Sequence, residues 1–320
     1  MKRTIVWALL PAVLLAAAVA WLMTGQTKDA APQLQVLTVT DALARKVNIP
    51  VPTERVVSLT NADTETLLAL GVKPLAVVDN RNLPDTLSAR LTDVPRVGLA
   101  TAPNVEQMAA LHPDLVIGTT MGFQTSLAPT LDQLGIPAVF TSVSSYQEIV
   151  GRITLLGQVT GRTDAAAAIT GEMERRIGEL RSRYAALPRR KVLILWGTPT
   201  SFQLASSQTF IGDLVAQLPV DNVTDRWLAD VPADNKPGFV TLDMEEISRT
   251  DADEILIVTH GLTRNMSRQF LDELQAKPAW RQVKAVREGH VHELPGELFA
   301  SNPNVRTADA IAYLAEVLYD

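Results

Sequence analysis

The 320-residue sequence predicts an α/β protein of two similar lobes joined by one long helix, and three observations carry that prediction. The first is a pair of short apolar runs, Arg55-Val56-Val57-Ser58-Leu59 and Lys191-Val192-Leu193-Ile194-Leu195. Each is opened by a basic residue and followed by turn-forming polar residues and an amphipathic helix pattern, the make-up of the first strand of an α/β lobe. The second is a repeated unit of helix and strand. Val105-Glu106-Gln107-Met108 leads through Leu115-Val116-Ile117 to Met121, and Met244-Glu245-Glu246-Ile247 leads through Ile255-Leu256-Ile257 to His260. The spacing is constant without a gap, Val105 to Met244 and Met121 to His260 both being 139 positions. In each unit apolar residues three or four apart run into a near-continuous apolar strand, the pattern of a parallel strand buried on both faces. The third is the segment between the halves. Ala165 to Ile169, then Met173, Ile177 and Leu180 fall at helical spacing and end at Pro188, which predicts one helix over 163–187, about 37 Å long. Two lobes on one stiff helix rock only slightly, so the expected ligand site is the groove between them.

The predicted organisation is a signal or anchor segment at 1–24, a tether at 25–35, an amino-terminal lobe at 36–162, the joining helix at 163–187 and a carboxy-terminal lobe at 188–320, both lobes Rossmann-like around a central sheet. Lys2 and Arg3 precede an uncharged apolar run from Ile5 to Met23, about 28 Å as a helix, close to the thickness of a bilayer core. Two basic residues before that run send the following chain outward. Its length favours a retained anchor, while Ala18-Val19-Ala20 offers the small residues a signal peptidase cuts after. The chain is therefore expected outside the cytoplasmic membrane, anchored at its outer face or periplasmic if the segment is cleaved.

Composition narrows the function. A chain 47% hydrophobic and 20% charged folds into a globule, and a net charge of −6 lacks the basic excess that nucleic acids demand. With no cysteine, thiolate nucleophiles, disulfides, iron-sulfur clusters and lipid attachment at a cysteine are excluded. Any metal is held by His, Met, Tyr or carboxylates. Gly-x-Ser-x-Gly, His-Glu-x-x-His and Walker motifs are all missing, so an anchored hydrolase stays a remote alternative.

The run from Thr38 to Val47, then Arg55-Val56-Val57-Ser58-Leu59, Thr64-Glu65-Thr66-Leu67-Leu68-Ala69-Leu70-Gly71 and His112-Pro113-Asp114-Leu115-Val116-Ile117 resemble the substrate-binding proteins of iron, haem and cobalamin importers. The likeness covers residues 36 to 320. Lys191 to Gly197, Phe210-Ile211-Gly212-Asp213-Leu214-Val215 and His260-Gly261 are most similar to the haem-binding lipoproteins of iron-regulated surface determinant systems. The resemblance implies a class III periplasmic binding protein, a monomer without enzymatic activity that captures a metal chelate and delivers it to an ABC permease. Haem is the implied cargo, a ferric siderophore or cobalamin the alternative.

A haem site needs an axial ligand, an apolar slot and donors for the propionates. His260 follows an apolar strand at its carboxyl end, where open parallel sheets bind ligands, and haem-binding relatives use a histidine there. Thr101 stands where those relatives carry methionine or tyrosine. Either the iron is five-coordinate through His260, or Met121, the repeat equivalent of His260, reaches it with its thioether. Thr60, Asn61, Asn80 and Arg81 lie in the loops that would receive the propionates, and Trp196, Phe123 and Phe202 could line a flat slot. Arg264, four residues after His260, is a further rim candidate. The family places an acid on each lobe against permease arginines, here Glu65 and Asp213; both also suit the amino end of a helix. His290 and His292, two apart on a strand, could share a zinc ion but lack a third ligand in sequence, so a place in a paired strand is preferred. His112 is expected at a helix end in solvent.

Overall fold

A computed structural model describes residues 35–79, 83, 85–197, 202–241, 244–259, 271–300 and 304–320. Segment 1–24 and most of the tether lie outside these. Among the described residues no helix is long and apolar enough to cross a membrane.

After a two-stranded ribbon, β1 (Gln35–Thr40) and β2 (Lys46–Val51), the amino-terminal half builds a six-stranded sheet. Its strands are β3 (Val56–Ser58), β4 (Ala76–Asp79), β5 (Arg96–Leu99), β6 (Ala102–Pro103), β7 (Leu115–Thr119) and β8 (Ala138–Thr141), in the order β6-β5-β4-β3-β7-β8. All pairs are parallel except the β5–β6 edge, so helices must make the crossovers. On these crossovers lie α1 (Asn61–Ala69), α2 (Val105–Ala110) and the single turn α3 (Gly122–Thr125), while α4 (Tyr146–Val159) follows the last strand. Asn104 and Ser145 cap α2 and α4 by accepting from the amides of Gln107 and Glu148.

The joining helix, α5, runs from Thr163 to Tyr184 and stops three residues before the predicted end. Arg181 and Arg183 in its last turn complement the helix dipole, and Pro188 disfavours helical geometry just ahead of it.

The second sheet is β9 (Arg190–Gly197), β10 (Phe202–Ala205), β11 (Val220–Asn222), β12 (Phe239–Thr241), β13 (Glu254–Thr259) and β14 (Val291–Glu293), ordered β12-β10-β9-β13-β14 with β11 joined to the start of β9. Helices α6 (Phe210–Val215), α7 (Met244–Ser248), α8 (Gly296–Phe299) and α9 (Thr307–Tyr319) accompany it. The predicted repeat recurs in space: β7 and β13 begin at Leu115 and Glu254, α2 and α7 at Val105 and Met244, and the matched Met108 and Ile247 are both fully buried. One expectation fails. β9 does not lead directly into a helix but into the antiparallel β10, because Gly197 lets the ring of Phe202 lie flat on the backbone; a Cβ at Gly197 would come within 2.2 Å of that ring.

Parallel strands buried on both faces explain the near-continuous apolar runs. In β3, Val56 joins a large cluster shared by the two halves, whereas Val57 joins a cluster private to the first. In β9, Val192 and Ile194 face the shared cluster and Leu193 and Leu195 a private one. The shared cluster runs through Met173, Ile177 and Tyr184 of α5 to Ile311, Leu314 and Leu318 of α9.

Candidate functional site

The carboxyl edge of the first sheet carries the loops expected to hold a ligand, and one buried side chain ties three of them together. Gln124 accepts the amide proton of Thr119 at the end of β7 (2.8 Å) and donates to the carbonyls of Leu59 after β3 (2.9 Å) and Ala100 after β5 (3.3 Å). Gly118 gives it room, since a Cβ there would sit 2.6 Å from its oxygen. Nothing in the local sequence distinguishes this glutamine from a surface residue of a short helix.

Around that anchor the edge is apolar and open. Met121, immediately before α3, is 52% exposed, Phe123 in α3 is 36% exposed and Leu99 at the end of β5 is 45% exposed. Thr101 is exposed in the β5–β6 turn. Thr60 differs from its expected role: its hydroxyl accepts from the amide of Asp63 (3.0 Å) and donates to the Asp63 carboxylate (2.6 Å), so it caps α1 and has no proton left to donate outward. Asn61, half-buried, makes no side-chain hydrogen bond among the described residues. Asn80, Arg81, His260 and Arg264 lie outside the described residues; β13, which His260 would follow, ends at Thr259.

In the second half Trp196, next to last in β9, is half-buried against the shared cluster, with its ring 5.7 Å from that of Phe239. Phe239, 39% exposed at the edge of the sheet, was not singled out by the sequence, although an aromatic opening an apolar strand is the available signal. Phe202 packs on Gly197 on the opposite face of the sheet.

Two carboxylates bring the halves together. Glu65, on the second turn of α1 beyond β3, is only 3% exposed. It receives Asn304 Nδ2 at 2.9 Å and the Arg306 fork at 3.0 and 3.1 Å, both residues lying beyond β14 and α8. Asp213 of α6, half-buried, accepts the backbone amide of Tyr146 at the start of α4 (2.7 Å). These bonds therefore run directly between the two halves. Burial raises the Asp213 carboxyl above its ordinary range, the Tyr146 amide opposes that shift, and the nearby charge of Glu148 adds to it. The expected picture of two open docking carboxylates thus differs from the structure, because both already have partners across the molecule.

His290 immediately precedes β14 and His292 lies within it, and the strand pairs with β13. The buried Glu254 lies 2.9 Å from His292 Nε2 and 3.7 Å from His290 Nδ1, a carboxylate contributed by the neighbouring strand rather than by local sequence. No group of three or more metal-binding side chains forms among the described residues. His112 is exposed at the end of α2 in the left-handed region (φ 49°).

Two α/β halves, each built around an open sheet and bonded to each other through Glu65 and Asp213, have the architecture of a periplasmic binding protein. The chain belongs to the periplasmic binding protein family, whose model matches residues 56–298, and it is a substrate-binding protein of an ABC importer. It is 28% identical over 269 residues to the high-affinity haem uptake system protein IsdE of Staphylococcus aureus, covering 83% of this chain and 87% of the relative. The crystal structure of S. aureus IsdE complexed with haem superposes with a TM-score of 0.72 at 26% identity, over 83% of this chain and 99% of that one. S. aureus SirA complexed with staphyloferrin B superposes with a TM-score of 0.73 at 20% identity, over 88% and 98%, which shows a common fold alone.

Proposed function

We propose that this protein is a class III binding protein of two Rossmann-like lobes, 36–162 and 188–320, joined by 163–187, which captures haem outside the cytoplasmic membrane and delivers it to an ABC permease. The observation that carries the reading is the match to a haem uptake protein along 83% of the chain. It is supported by the apolar Leu99, Met121 and Phe123 exposed on the edge where open sheets bind ligands. His260 is the axial ligand of this reading and Met121 the second, while Thr101 adds no ligand of comparable strength. Asn61 and Arg81, with Asn80, receive the propionates. The segment 1–24 directs export and leaves the protein on the outer face of the membrane or, if cleaved, in the periplasm. Glu65 and Asp213 are the acids the permease would meet, and either must first leave its present partner.

A siderophore is the second reading, favoured by the equally good superposition on SirA complexed with staphyloferrin B. One titration separates the two. Residues 30–320 are expressed and haemin is added to the parent, His260→Ala and Met121→Ala proteins. A Soret band lost with His260→Ala and shifted with Met121→Ala is the expected result. Equal binding by all three proteins overturns the ligand assignment, and a parent that binds a ferric siderophore but no haemin overturns the cargo.

A further inference from the structure

The two carboxylates between the halves are arranged alike. Each sits on the first helix of its half, Glu65 on α1 and Asp213 on α6. Each reaches the amino end of the last helix of the opposite half, Glu65 meeting Arg306, the residue before α9, and Asp213 meeting Tyr146, the first residue of α4. We propose that these bonds form a matched pair of latches that sets the angle between the halves, with Glu65, Asn304, Arg306 and Asp213 acting as positioning residues for ligand retention.

The chemistry of each latch suits a joint that opens. Glu65 is engaged on both oxygens by a planar guanidinium, the geometry in which an arginine gives most direction as well as strength. Arg306 is itself held in place, since its Nη2 donates to the Glu297 carbonyl (2.8 Å) and its amide to Asn304 Oδ1 (3.2 Å). A quarter of its side chain remains in contact with solvent, so water can replace the carboxylate as the halves part. The second latch spends the charge of Asp213 on a helix-end amide that has no partner within its own helix. Tyr146 is anchored there by a buried ring and by its hydroxyl, which donates to Glu174 of α5 at 2.9 Å, so a pull on Asp213 acts on the joining helix as well. These are the acids that the docking reading assigns to the permease. A partner offering arginines to Glu65 and Asp213 would therefore compete with Arg306 and with α4, loosening the halves as it docks.

The geometric test is independent of any ligand. The chain has no cysteine, so spin labels enter only at chosen sites, here Glu106→Cys in the first half and Arg287→Cys in the second. Pulsed electron resonance is expected to give one narrow distance in the parent, a broadened or longer one in Glu65→Gln and Arg306→Gln, and an intermediate one in Arg306→Lys, which keeps the charge and loses the fork. Far-ultraviolet dichroism with a cooperative melt identifies the folded variants, and Arg306→Lys carries the test if the others fail to fold. A second arm, resting on the haem reading, follows haemin release to a scavenging apoprotein, expected to be about tenfold faster in Glu65→Gln. An unchanged distance distribution in folded variants overturns the latch whatever the cargo. Absence of haemin binding in the parent overturns the cargo and leaves the distance arm standing.

Discussion

Two acids on one short helix make opposite use of an arginine. Asp63 and Glu65 are two residues apart on α1, so they leave the helix on different sides, and every residue from Ala62 to Leu68 is buried. Asp63 faces Arg152 of α4 inside the first half at 3.4 Å. All three guanidinium nitrogens of Arg152 and one oxygen of Asp63 lack a hydrogen bond among the described residues. Burial accordingly pushes the Asp63 carboxyl upward against the pull of Arg152 and of the Thr60 hydroxyl. Glu65 faces Arg306 of the other half in a two-pronged bond with Asn304 alongside. A charged pair sealed in one half carries the desolvation cost permanently, whereas a pair between halves recovers water when they separate. The first constrains the fold; the second belongs to motion.

The sharpest way to break this contrast is Arg152→Met. With its counter-charge gone, Asp63 is left alone in the interior, and the expected loss is about 3–5 kcal/mol in urea unfolding at neutral pH. Adding Asp63→Leu should restore most of it, because replacing both members of a buried pair by apolar groups is close to neutral. Glu65→Gln should cost less, ~2 kcal/mol, as a hydrogen bond to a charged group is removed at a site that water can reach. Equal losses for the Arg152 and Glu65 variants would erase the distinction. An uncharged control is Gln124→Leu, which strands the Thr119 amide and the Leu59 carbonyl. It should cost about 1–2 kcal/mol and weaken haemin binding in the absorbance titration beyond what a global melt accounts for.

Asp213→Asn is the mildest change, because an amide oxygen still accepts from Tyr146. The sign of its pH dependence follows from the raised carboxyl. The folded protein holds that proton more tightly than the unfolded chain, so stability from this group is greatest at low pH and falls as pH rises from the ordinary carboxylate value through the raised one. Denaturation midpoints of parent and Asp213→Asn measured across that window should diverge upward in favour of the variant. A constant difference would place the Asp213 charge elsewhere.

The part of this architecture legible in the sequence is the part governed by local repetition. A parallel strand covered on both faces must be apolar throughout, which is why Leu115–Thr119 and Glu254–Thr259 stood out and why their 139-residue offset survives in space. The antiparallel β9–β10 pairing was hidden because the ring that packs on Gly197 belongs to Phe202, outside the apolar run. Glu65 was legible as a helix acid but not as the partner of Arg306, 241 positions away, since no local pattern reports a contact made only by tertiary folding. Gln124 was missed for the same reason. Met121 was placed at a strand end by the repeat alone, and the structure puts it there in the open.

The cluster through which α5 threads has a consequence for how the chain comes into being. Each sheet lends one of its two apolar faces to the same body of side chains, and α9, the last thirteen residues but one, closes it with Ile311, Leu314 and Leu318. Until α9 packs, that body lacks Ile311, Leu314 and Leu318 and the inner faces of both sheets stay partly uncovered. The interior common to both sheets is complete only once α9 has docked, so neither half can finish packing before the other is present.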